Sequence, residues 1–194
     1  MSRALKSLAI FFAFVAIYTL SRHVASPSSA TTSTTTSQVT TTTTNSPTGT
    51  TCQGTDFRGV FNQGQGAAGT IYASISLIKT TAGTCAIKGW PTLTLQDRTG
   101  SVLPSATVDL PTVNSPIQFT DAKANLAPSL LSLHQGSSTT FSLAYSDVPR
   151  GIETCGSATS IAVQLTAHGS AVSVTPAYPA QPCNHGSVWV SPFY

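Results

Sequence analysis

Few residues of this chain could do chemistry. His134, His168 and His185 all stand close to glycines, in stretches that read as turns. Cys183-Asn-His185 sets a thiol two residues from an imidazole, as a nucleophile and its base would need. Its spacing nevertheless fits neither zinc-ligand nor thiol-protease patterns. The acids Asp56, Asp97, Asp109, Asp121, Asp147 and Glu153 are spread singly, which leaves little material for a two-carboxylate site. The sequence has no Gly-x-Ser-x-Gly elbow, no His-Glu-x-x-His helix, no Gly-rich phosphate loop and no Asp-x-Asp-x-Asp-Gly calcium loop. The sequence therefore predicts no catalytic residue, no metal ligand, and no cofactor or cofactor-binding residue. One enzymatic alternative stands, an envelope hydrolase assembled from dispersed residues such as His134, His168 and Asp147. It needs a histidine within hydrogen-bond reach of an acid and of a Ser or Cys in a concave pocket.

The four cysteines, Cys52, Cys85, Cys155 and Cys183, include no Cys-x-x-Cys pair. In an exported domain they read as two structural disulfides. Three pairings are open, and the favoured one is sequential, Cys52 with Cys85 and Cys155 with Cys183. Each such bond would close a loop of about thirty residues and contribute roughly 3 to 4 kcal/mol on the chain-entropy model.

Charge narrows the partners. The net charge of +3 comes wholly from Arg3, Lys6 and Arg22, and from residue 52 onward cations and acids balance. With no basic stripe to follow a phosphate backbone, nucleic acid is excluded as a partner.

These residues need a scaffold, and the chain divides into three parts: 1–30, 31–51 and 52–194. Arg3 and Lys6 precede an apolar run, 8–20, which has the layout of a signal peptide or a signal anchor. Ser28-Ser-Ala30 offers small residues for cleavage, and an uncleaved segment would be an N-terminal membrane anchor. Residues 31–51 contain 13 threonines and no aromatic. Such a tract buries too little apolar surface to offset its ordering entropy and reads as a disordered linker, bare or O-glycosylated.

From residue 52 the apolar pattern has a period of two. Ile71, Ala73, Ile75 and Leu77 share one strand face, and Leu93 with Leu95 share another. Phe141, Leu143 and Tyr145 alternate in the same way, as do Ile161, Val163 and Leu165. A turn at 167–170 joins that last run to 171–175 as a hairpin, and 187–191 is the final strand. Ile117 and Phe119 suggest a further strand, 107–110 reads as an edge piece, and 122–131 could hold a short helix limited by Pro128. Asp97-Arg-Thr-Gly100 is a turn. Many short strands with regular turn signals predict an all-β, antiparallel, Ig-like β-sandwich with two disulfides, preceded by an N-terminal apolar helix and a disordered Thr-rich linker.

The run Cys85-Ala-Ile-Lys-Gly-Trp-Pro-Thr-Leu-Thr-Leu-Gln-Asp97, with Gly100 after it, resembles the signature of the domain of unknown function 4232 family. Cys52 and the strand through Ile71 to Leu77 fit the frame before that signature. Leu133-His-Gln-Gly136 and the Phe141 to Tyr145 alternation resemble its later part, and Cys155 and Cys183 its closing cysteines. The resemblance covers 52–192. It implies an exported, often membrane-tethered, Ig-like β domain behind a low-complexity linker, and it brings no catalytic residue and no ligand. The expected role is an extracytoplasmic, cell-membrane-anchored or secreted module, non-enzymatic, in cell-envelope binding or a structural role. Its expected partner is a protein or glycan at the cell surface. Trp90, set between Gly89 and Pro91, and Lys88 are the candidate partner contacts.

Overall fold

The computed structural model describes residues 49–110 and 117–194, so the expected N-terminal apolar helix and most of the Thr-rich tract lie outside the described residues. Within them the chain forms short strands and two 3-10 turns, with no α-helix. Thr50–Thr51 (β1), the last pair of the Thr-rich tract, lies parallel to Thr84–Ile87 (β4), which pairs in turn with Leu131–His134 (β7).

The largest sheet has five strands. Phe57–Ala67 (β2) and Thr70–Lys79 (β3) form a hairpin. Its turn is built by Ala68 and Gly69, both at positive φ (50° and 80°), whose twist suits a tight hairpin connection. β3 then pairs with Ser138–Ser146 (β8), β8 with Ser187–Val190 (β11), and β11 in parallel with the edge strand Ala106–Asp109 (β6), so the wholly antiparallel expectation is corrected at this pair and at β1–β4. A third sheet joins Ala171–Val174 (β10), Ser160–Gln164 (β9) and Thr92–Gln96 (β5), all antiparallel.

The alternation read from the sequence places one set of side chains inward. Ile75 and Leu77 of β3, Phe141 and Leu143 of β8, Leu93 and Leu95 of β5, and Ile161 and Val163 of β9 are all buried in one shared core. Each such side chain contributes about 1.5–3 kcal/mol relative to exposure. A shift of register by one residue would turn the whole set outward, so this core fixes the pairing. Phe141 and Phe193 meet edge to face with centroids 5.8 Å apart. The sequential disulfides are the ones formed, Cys52–Cys85 and Cys155–Cys183, and no cysteine is free.

β8 is buried on both faces. Its outward Ala144 lies under a second apolar cluster made by Leu110, Ile117, Phe119 and Ala124. Two expectations are corrected in this covering segment. Ile117 and Phe119 are buried but form no strand. The backbone of Phe119 is instead satisfied by the Asn125 side chain, which accepts from its N–H at 3.0 Å and donates to its carbonyl at 2.7 Å. The expected short helix is a single 3-10 turn, Ala122–Asn125, capped by the Asp121 carboxylate, which accepts from Lys123 N at 2.9 Å.

Candidate functional site

The covering segment spans only part of the outer face of the five-stranded sheet. Beside it lies a groove of about 600 Å³. One wall is the β2 strand where its register against β3 slips between Asn62 and Gln65. The bulge sets Gln63 and Gln65, both exposed, along the rim. The facing wall is Phe119, Thr120 and Asp121, and the floor is Tyr72 and Ser74 of β3 with Ser142 of β8 and Tyr194.

The floor is a patterned hydroxyl surface. Asn62 Nδ2 donates to Ser74 Oγ at 3.1 Å and, beyond the groove lining, to Ser76 Oγ at 2.9 Å, which meets Thr140 Oγ1 at 3.1 Å. Ser142 Oγ and the Tyr194 hydroxyl are 2.9 Å apart. Burial raises the Tyr194 phenol above its ordinary value, the Ser142 hydrogen bond opposes that rise, and the nearby Asp121 carboxylate adds to it. Tyr72 and Tyr194 are partly buried against the second apolar cluster, which holds their rings in place. Among the described residues Asp121 is the one charged side chain lining the groove.

The residues singled out by the sequence lie elsewhere. Trp90 is partly buried against the main core, and its indole N–H donates to the Leu110 carbonyl at 2.6 Å. Lys88 is exposed in the turn after β4. His134, His168, His185 and Asp147 are all exposed. No hydrogen bond or ion pair joins the four to one another among the described residues, and none of them lines the groove. His185 does have a structural neighbour. It follows Asn184 with both at positive φ (52° and 58°), and its backbone N–H donates to the Glu153 carboxylate. That bond, ahead of those from Arg150 and Asn184, holds Glu153 below its usual range. Among the described residues no group of three His, Cys, Asp or Glu side chains could hold a metal ion.

The sequence reading missed the groove because its residues are amides, small hydroxyls and tyrosines, none of which belongs to a catalytic motif. The available signal was the run Asn62-Gln-Gly-Gln-Gly66, with amides alternating with glycines inside a strand.

No curated protein and no solved structure matches the chain. The family model described as Domain of unknown function (DUF4232) matches residues 52–194, from the first disulfide cysteine to Tyr194. The chain thus belongs to the DUF4232 family.

Proposed function

We propose that the chain is a non-enzymatic, extracytoplasmic binding module with an Ig-like β-sandwich fold. In this reading, residues 1–30 direct it to the envelope as a signal peptide or anchor, and the Thr-rich tract spaces it from the membrane. Its partner is a protein or glycan of the cell surface, met at the groove between the β2 bulge and Thr120–Asp121.

The groove carries the reading. It is concave and lined by oriented hydrogen-bonding groups and aromatic rings, and among the described residues no histidine lines it. Two disulfides are consistent with an oxidising compartment. Exposed, separate histidines support a non-enzymatic role over the dispersed hydrolase site.

Proximity labelling by the full chain in intact cells tests this. Labelled partners should be envelope components, and the purified chain should show no turnover on a panel of ester, peptide and glycoside substrates. Labelling confined to cytoplasmic proteins, or turnover abolished by His134→Ala or His168→Ala, would overturn it.

A further inference from the structure

The lining of the groove is specific enough to name a ligand class. The β2 bulge lays Gly64 directly on β3, where a β-carbon would fall 1.1 Å from the Tyr72 carbonyl oxygen. Only glycine fits there, so the wall is fixed by backbone contact. Gln63 and Gln65 on that rim each offer an amide that donates and accepts in one plane. Ser74, Ser142, Thr120 and the Tyr194 hydroxyl add groups that can do either. The Tyr72 and Tyr194 rings supply apolar surface with a polar tip.

Three ligand classes fit poorly. Among the described residues no Lys, Arg or His lines the groove, and Asp121 would repel a polyanion. A wholly apolar ligand would strip water from the exposed Gln63 and Gln65 amides without replacing their hydrogen bonds. An extended peptide adding to β2 would meet an interrupted ladder, because the bulge breaks the edge between Asn62 and Gln65. A chain bearing many neutral hydroxyls satisfies every constraint. Its hydroxyl edges match the amides and serines, and its C–H faces match the rings. The volume, about 600 Å³, lies inside the usual span of ligand sites, about 300–1,000 Å³.

We propose that the groove between the β2 bulge and Thr120–Asp121 binds a neutral glycan chain. Gln63 and Gln65 grip its hydroxyls on one side, Asp121 accepts from them on the other, and Tyr72 and Tyr194 carry its apolar faces. This rests on the binding-module reading and names the partner class for the same site.

The test is an array of linear oligosaccharides, neutral and acidic, probed with the oxidised full chain in detergent, followed by calorimetric titration of the oligosaccharides it retains. Binding should be confined to neutral glycans. Gln65→Ala, at an exposed position, should weaken it about tenfold, equivalent to the loss of one strong contact. Tyr72→Ala should weaken it at least as much, and Ile152→Ala, remote in sequence and fully exposed, should bind as the unmodified chain does. Because Tyr72 also packs on the second cluster, Gln65→Ala is the deciding variant if Tyr72→Ala unfolds. No retained neutral glycan, retention of acidic glycans alone, or affinity unchanged in Gln65→Ala would each overturn the proposal. A blank array with envelope components still labelled in cells would remove the glycan and leave the binding module standing.

Discussion

Gly64 and Tyr72 are in backbone contact: a β-carbon at position 64 would lie 1.1 Å from the Tyr72 carbonyl oxygen. The strand that walls the groove and the strand that floors it are therefore locked together at the bulge. Gly64→Ala cannot be absorbed by a rotamer change, since the obstacle is main chain. It should cost about 1–3 kcal/mol, as overpacking does, and urea unfolding with an unchanged m-value measures it.

The two disulfides should differ in access. Cys52 and Cys85 are both buried in the main core, whereas Cys155 is only partly buried. Under graded dithiothreitol, Cys155–Cys183 should be reduced first, as read by differential alkylation and peptide mass mapping. Replacing either pair by serine should cost about 3 kcal/mol.

Asp56 links the entry of the domain to the end of β3. Its carboxylate accepts from Gln53 N at 2.9 Å and Thr81 Oγ1 at 2.8 Å and lies 3.9 Å from the buried Lys79 ammonium. The Gln53 backbone bond, then Thr81, then the charge of Lys79 hold Asp56 below its ordinary value of 3.8. Because the folded value is depressed, the stabilisation is present above the unfolded value and is lost as pH falls through the folded one. Asp56→Asn should cost about 2 kcal/mol at pH 7, a typical value for charge-assisted hydrogen bonds. The gap between the variant and the unmodified chain should close as pH drops below 3.8, where chemical denaturation at stepped pH would follow it.

Trp90 and Lys88 make opposite predictions. Trp90→Phe removes the donor to the Leu110 carbonyl and should cost about 1 kcal/mol. Lys88→Ala, at an exposed turn, should leave stability within about 0.5 kcal/mol. If Lys88 contacts a partner, its substitution should change partner labelling while the thermal midpoint stays fixed.

The main core was legible in the sequence because its strands alternate cleanly. Ile75 and Leu77, Leu93 and Leu95, Phe141 and Leu143, and Ile161 and Val163 all point inward as their period of two requires. β2 was not legible. Gly59, Gly64 and Gly66 interrupt its pattern, and Gly59 is there because a β-carbon would sit 2.3 Å from Val174 Cγ2 of β10. The close approach of two strands therefore erased the alternation that would have revealed one of them. β4 and β7 are four residues each, and each places only two side chains inward, which is too few to show a period without a flanking hairpin or terminal run. Ile117 and Phe119 look like a strand because they are apolar and alternate, but their burial comes from lying over Ala144. The candidate site combines both difficulties. It needs a bulge, which breaks the pattern, and a covering segment, whose position only the tertiary structure supplies.

Co-sedimentation of the full chain, its residues 1–30 held in lipid nanodiscs, with isolated cell envelopes tests the central claim, groove-mediated envelope binding, most directly. The unmodified chain should pellet with the envelopes, and the exposed-rim variant Gln63→Ala/Gln65→Ala should lose affinity by at least about tenfold with its unfolding transition unchanged. Equal pelleting of the two proteins, or no pelleting of the unmodified chain, would contradict the account.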